Sequence, residues 1–312
     1  MEKTKYNTRT AGYALCIMFF VLFVLAGCAR EVPPDVIISV NAQAAMIAEA
    51  KSGETLFEKN AAMRFPPAST AKVMTAIIAI ENMSLTEEII PNKEVLYVEP
   101  TRAKLVPGVK YKLEDLIAAL LVKSANDAAI AIAEAVAGSE ENFVILMNAK
   151  AKKLGMEDTY FATASGLPTG KKDNQYTTAK DLIKMMRYAM RHRIIPYTMS
   201  LEEAHIYGSD KKRIYLKTHN KTLLHDGMET WGKTGYTKEA KRTFVGTDPS
   251  PNPRIVFSLL KSSDLWNDIV ALKDGGLKIY DERHATFIGD IMKWIREQKQ
   301  RGRMSLGYQN SP

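Results

Sequence analysis

The sequence predicts an α+β domain, an α/β sandwich whose antiparallel sheet carries an inserted helical lobe. Candidate strands near residue 44 and beyond residue 230 flank a block that reads as helical from about 69 to 193. A sheet forms from them only if the first and last strands meet, with the helical block projecting between them. The segment Ser69–Met83 is apolar on nearly every face after Lys72, which marks a helix buried on all sides. The chain has 312 residues, 46% hydrophobic and 25% charged, without internal repeats. That is ordinary globular composition, and long enough to bury a sizeable core.

The elements follow in order. Ala44–Glu49 and Glu54–Glu58 lie either side of Lys51-Ser52-Gly53 and read as a β-hairpin. Pro66-Pro67 punctuates the chain before the buried helix. Leu113–Val122 and Ala128–Ala137 are the next helices, the second stopping before Gly138. Glu141–Leu154 follows, with Gly155 placed to end it. Thr178–His192 opens on Thr177-Thr178, both cap candidates. After Pro196 the pattern returns to strands: Thr230–Gly235, Thr243–Thr247 and Arg254–Leu260. A last helix is expected over Ala285–Gln298. The main domain is expected over 44–283, with a C-terminal helix and tail and no second β domain expected over 284–312.

Residues 1–27 read as an export signal. Lys3, Lys5 and Arg9 precede a run of 17 mostly apolar residues, Ala11–Gly27, slightly short for a spanning helix. Leu25-Ala26-Gly27-Cys28 resembles the lipobox of bacterial lipoproteins, which implies a lipid on Cys28, a tether over 28–43 and an extracytoplasmic, membrane-anchored domain. Ala29 after Cys28 favours an outer membrane where the source has one. The formal charge is +8, from 43 Lys+Arg against 35 Asp+Glu. Losing Glu2, Lys3, Lys5 and Arg9 would leave about +6. No like-charge block with interleaved aromatics points to nucleic acid.

Two cysteines, Cys16 and Cys28, exclude a disulfide framework and paired Cys-x-x-Cys zinc knuckles. The five histidines form no His-Glu-x-x-His, and no Gly-x-Gly-x-x-Gly or Walker loop occurs. Chemistry by side chains alone is therefore expected, with no metal and no cofactor. Three motifs carry it. Ser69-Thr70-Ala71-Lys72 puts a hydroxyl and an amine on one helical face, where a neutral lysine takes the serine proton. Ser124-Ala125-Asn126 falls in a break between helices, and Lys233-Thr234-Gly235 on a candidate strand. Singly, these read as helix caps and an exposed strand lysine. Together, in that order on helix, turn and strand, they match the set known for penicillin-binding proteins and class A β-lactamases.

The surroundings extend the match. Pro67–Thr75, Ser124–Ala129, Leu154-Gly155-Met156, Ser165–Pro168, Tyr176–Leu182 and Gly232–Thr237 resemble the low-molecular-mass penicillin-binding proteins, the D-alanyl-D-alanine carboxypeptidases of serine peptidase family S11. The resemblance covers roughly Ala44–Leu277 and implies a penicillin-recognising serine transferase fold. It makes Ser69 the acylated nucleophile, Lys72 the general base and Ser124 a proton relay. Asn126, Lys233, Thr234, Gly235 and Tyr236 would bind substrate, with the backbone N–H groups of Ser69 and Tyr236 as oxyanion hole. The implied partners are peptidoglycan stem peptides and β-lactams. Two departures stand out. Lys241 follows Glu239-Ala240 where many members have glycine. No arginine stands in Ser263–Asn267, where some members place one for the substrate carboxylate. The second departure keeps a D,D-endopeptidase open as the alternative, and a non-catalytic stem-peptide binder behind it. A β-lactamase lacks its deacylating Glu-x-x-x-Asn here.

Overall fold

The computed structural model describes residues 36–99, 101–170, 175–225, 228–249 and 254–284. The expected signal 1–27, Cys28 and the helix expected over Ala285–Gln298 lie outside the described residues. Within the compact unit Ile37–Tyr280, β1 (Ala44–Glu49) and β2 (Thr55–Lys59) form the expected hairpin. The last strands are β7 (Trp231–Thr237), β8 (Lys241–Thr247) and β9 (Ile255–Ser262). All five make one antiparallel sheet in the order β2-β1-β9-β8-β7. The first and last strands therefore meet at β1 and β9, as the element order requires.

Alternation along the strands assigns the two faces of the sheet. Ala44, Met46 and Ala48 of β1, with Val256 and Leu260 of β9, join the core shared with the helical lobe. Ile47 and Ile255 point the other way, where a Cβ on Gly276 would meet both. Gly276 belongs to a stretch helical over residues 265–284 that the sequence reading left unassigned. Leu265, Ile269, Leu272 and Ile279 are buried at spacings of three, four and seven, so the helical period was present. Helix, sheet and helical lobe thus stack as three layers.

The lobe is built around α1 (Lys72–Asn82), preceded by a 3₁₀ turn, Ala68–Ala71. Every α1 residue from Lys72 to Ala79 is buried. Around it stand α2 (Leu113–Leu121), α3 (Asn126–Ala137), α4 (Glu140–Lys153) and α5 (Ala179–Ala189). Thr178 caps α5, its hydroxyl accepting from Asp181 N at 3.1 Å. Strands resume after Pro196, as expected, but only from Glu203; the proline itself sits in the first turn of a short α6 (Ile194–Met199), where proline costs no hydrogen bond. Two small antiparallel pairs complete the description, β3 (Glu88–Ile89) with β4 (Tyr111–Lys112) and β5 (Glu203–Tyr207) with β6 (Arg213–Lys217). No helix among the described residues is long and apolar enough to cross a membrane.

The tether expected over 28–43 is shorter on its described side. Val40 and Ala42 are buried, and the backbone N–H groups of Asn41 and Ala42 donate to Asp268 at 2.7 and 2.8 Å. Asp268 is buried and also accepts from Ser262 Oγ at 2.6 Å. One carboxylate therefore joins the chain entering the domain, the end of β9 and the last helix. Asn41 Nδ2 donates to it as well, at 3.3 Å, so removing it leaves four donors unsatisfied, at roughly 1–3 kcal/mol for each that stays buried. Asp268→Ala should therefore lower the urea midpoint, with a loss of about 3 kcal/mol in unfolding free energy.

Candidate active site

Neither motif serine caps a helix. The residue that caps α1 is Ala71 and that of α3 is Ala125, neither with a side-chain bond. Both serine hydroxyls are therefore free for other partners. Each is approached through a non-glycine residue in the left-handed region: Ala68 has φ 48° and Ser124 itself has φ 59°. Such backbone costs on the order of 1–3 kcal/mol and persists where the surroundings over-determine it. Here the surroundings are the buried start of α1 and the tight link from α2 to α3.

Lys72 is fully buried. Its Nζ lies 2.9 Å from Ser69 Oγ, 2.7 Å from Asn126 Oδ1 and 2.7 Å from the Ser165 carbonyl oxygen. Asn126 Nδ2 donates to Glu99 O at 2.9 Å, which fixes the amide with its oxygen toward the lysine. Two neighbouring bonds hold the Ser165 segment: Ala164 N donates to Glu140 Oε1 at 2.8 Å, and Thr75 Oγ1 donates to Ala164 O at 2.6 Å. Burial, and then the charge of Lys233, hold the Lys72 amine well below its usual pKa, while Asp127 and Glu140 oppose the shift. The neutral amine has two N–H donors and one lone pair. The two carbonyl acceptors take both donors, so the lone pair faces the Ser69 hydroxyl.

Lys233 is likewise buried, not the exposed strand lysine of the simple reading. Its Nζ donates to Ser124 Oγ at 2.9 Å and to Thr234 O at 2.7 Å. Burial brings its pKa to about 7. The motifs thus form one connected pair of amine–hydroxyl contacts. Gly235 lets β7 lie against the nucleophile: a Cβ there would stand 2.4 Å from Thr243 Oγ1 and 2.8 Å from Ser69 N.

A cavity of about 330 Å³ opens over these groups, lined by Ser69, Ser124, Asn126, Thr234, Gly235 and an exposed Tyr236. Every motif residue expected there is present or, for the two lysines, lies directly beneath. The reading missed other wall residues. Leu265 and Trp266 form an apolar side in the very stretch scanned for an arginine. An arginine comes instead from β8: Arg242, paired with Tyr236 across the strands, lines the same cavity. His219 also lines it. Burial, with Lys233, Lys123 and Lys72 nearby, lowers its pKa to about 4. The β7–β8 register that brings Arg242 opposite Tyr236 was the signal available, but it needs the hairpin turn to be placed first. Among the described residues no three His, Cys, Asp or Glu side chains are placed to hold a metal ion.

Titration of Lys233 and His219 couples to stability with a definite sign. An unfolded lysine keeps its proton up to about 10.5, whereas folded Lys233 releases it near 7. The unfolded chain binds the extra proton between those values, so stability rises with pH across that window. The same argument for His219 makes stability fall as pH drops from about 6.5 to about 4. Urea unfolding at stepped pH should show both slopes. Lys233→Met should reduce the alkaline slope, leaving the part that comes from Lys72, and His219→Gln should flatten the acid one.

Residues 29–263 match the family described as D-alanyl-D-alanine carboxypeptidase, peptidase family S11. The chain is 30% identical over 246 residues to the D-alanyl-D-alanine carboxypeptidase DacB2 of Mycobacterium tuberculosis, covering 79% of this chain and 81% of that protein. It is 29% identical over 221 residues to DacF of Bacillus subtilis, covering 69% of this chain. The match spans 56%, little more than half, of DacF. The crystal structure of a D-alanyl-D-alanine carboxypeptidase from M. tuberculosis superposes with a TM-score of 0.72 at 27% identity, covering 80% of this chain and 94% of that one. The buried lysine beneath a pocket-facing serine, the Lys-Thr-Gly strand laid against it and the matched residues lead to one assignment: the chain belongs to the D-alanyl-D-alanine carboxypeptidase family, peptidase family S11.

Proposed function

We propose that the chain is a serine D-alanyl-D-alanine carboxypeptidase that removes the terminal D-alanine of peptidoglycan stem pentapeptides. The observation that carries this reading is the forced orientation of Lys72, whose lone pair has only the Ser69 hydroxyl to face. Lys72 Nζ takes the Ser69 proton as Oγ bonds to the carbonyl carbon between the two D-alanines. The backbone N–H groups of Ser69 and Tyr236 hold the developing oxyanion. The proton passes through Ser124 to the departing amine as the C–N bond breaks, leaving an acyl-Ser69 ester and free D-alanine. Water, deprotonated by Lys72, then cleaves the ester and returns the proton to Ser69. Penicillins enter the same first step, the strained ring amide replacing the peptide bond.

A carboxypeptidase must recognise a free terminal carboxylate, and Arg242 supplies a permanent cation at the cavity wall. Arg242 thus offers the cation that Ser263–Asn267 lacks, which supports the carboxypeptidase reading over the endopeptidase. Thr234 and Asn126 offer further donors along the cleft.

The deciding experiment is mass spectrometry of muropeptides, pentapeptide monomers mixed with cross-linked dimers, after incubation with the protein and with Ser69→Ala. Monomers should lose one alanine with the unaltered protein only. Loss of dimers with pentapeptides intact would establish a D,D-endopeptidase instead, and no change in either would leave a binding protein. Gly235→Ala should lower acylation by a fluorescent penicillin at least a hundredfold without unfolding the chain, because misplacing the strand by about 1 Å has that effect. Arg242→Gln should raise KM for a D-Ala-D-Ala peptide about tenfold or more and slow acylation by penicillin as well, since its ring carboxylate takes the place of the terminal one.

We further propose export and lipid attachment at Cys28, supported by the basic start, the apolar run and Leu25-Ala26-Gly27-Cys28. Intact-mass analysis of the membrane fraction should find a diacylglyceryl adduct on the native chain, absent from Cys28→Ala.

A further inference from the structure

A second cavity, of about 960 Å³, shares no residue with the catalytic cleft. Its walls come from the end of α4, the last two turns of α5 with the residues after them, the turn between β1 and β2, and Arg254 just before β9. Lys51, Lys150, Lys153, Lys184, Arg187, Arg191 and Arg254 line it, and Glu49 is the one carboxylate in the wall among the described residues. Two further acids stand behind the cations. Glu81 accepts from Lys150 at 2.6 Å, and Asp181 accepts from Lys184 at 2.9 Å. Seven cations therefore face three carboxylates, and one of the three, Glu49, is already committed to the backbone N–H groups of Lys51 and Ser52.

Apart from the two ion pairs, Lys150 with Glu81 and Lys184 with Asp181, the positioning groups are neutral and leave the charge standing. Arg187 donates Nε to Ala50 O and Nη2 to Lys51 O, each at 3.0 Å. The turn is shaped around that guanidinium: a Cβ on Gly53, at φ 83°, would stand 2.3 Å from Arg187 Nη1. Lys184 donates to Gly155 O as well as to Asp181. Lys150, its side chain only 10% exposed, also donates to Tyr188 Oη at 3.0 Å. The guanidinium of Arg191 lies 5.4 Å from the Tyr188 ring centre. Carbonyls and a ring thus position Arg187 and Arg191 without cancelling them. A concave wall of one sign focuses its potential on the space it encloses.

We propose that this cavity binds a ligand carrying at least two linked phosphate groups, a diphosphate or a run of phosphodiesters. Guanidinium forks and ammonium groups together suit tetrahedral oxyanions, which offer acceptors in several directions at once. Seven cations from four segments offer more donors than the oxygens of one phosphate can accept, so linked phosphates are selected over a single one.

The test is calorimetric titration of the full chain in detergent with inorganic pyrophosphate, orthophosphate, sulfate and a glycerol-phosphate oligomer at fixed ionic strength. Pyrophosphate should bind saturably, one to one, at least tenfold tighter than sulfate or orthophosphate. Lys153→Glu with Arg191→Glu, both outside the catalytic machinery, should weaken that binding at least tenfold while penicillin acylation keeps its rate. The milder pair Lys51→Ala with Lys153→Ala gives the same readout should the charge reversal disturb folding. An oligomer that binds more tightly than pyrophosphate would identify a phosphodiester polymer as the source, and the reverse order a free diphosphate. No saturable binding, equal binding of sulfate, or binding indifferent to both variant pairs would overturn the proposal.

Discussion

The Lys72 amine sits in the middle of a packed domain, and most of the architecture can be understood as what that position demands. Taking an ammonium out of water costs several kcal/mol even after relaxation, more than any hydrogen bond to a neutral group returns. The amine therefore loses its proton, and its two N–H donors must each find an acceptor. Asn126 Oδ1 and Ser165 O are those acceptors. The first comes from α3, the second from the segment pinned by Glu140 and Thr75. Three parts of the lobe are thus aimed at one nitrogen, and the direction they leave open is occupied by Ser69.

Lys233 repeats the arrangement from the sheet side. Its burial depends on β7 lying against the 3₁₀ turn that holds Ser69, which the absence of a side chain at Gly235 allows. Its contact with Ser124 joins the strand to the α2–α3 link. Sheet and lobe meet along a line of polar contacts that open onto the cleft, while the apolar core fills in behind. The strained backbones at Ala68 and Ser124 belong to the same seam. A site that must expose two hydroxyls while burying two amines leaves little freedom in how the chain enters it.

Much of this was legible in the residues. The apolar run after Lys72 identified the central helix, and glycine and threonine boundaries located its neighbours to within a few residues. The hairpin at 44–58 and the last three strands stood out by alternation and turn residues. The differences have local causes. Strands resume only beyond the short helix that holds Pro196, because a proline in a first turn lacks an N–H that is not needed there. The helix at 265–284 has no breaker at its described end to announce it, although its buried residues recur with helical spacing. The tether was drawn too long because nothing local announces that Asp268 will capture the backbone of Asn41 and Ala42.

By itself the sequence determined the residue types the chemistry requires, their order along the chain and the kind of element each would sit on. Those follow from short-range physics: periodicity, capping and the reach of a side chain across one helical turn. The tertiary structure alone decided the protonation-sensitive contacts, Lys72 against Asn126 across 54 positions and Lys233 against Ser124 across 109. It also decided that Arg242, and no residue of 263–267, stands at the cleft as its cation, and that seven basic side chains from four separate segments face one cavity. Burial and through-space charge depend on distances that chain order does not encode, because folding brings residues together by which faces pack and not by how far apart they are written.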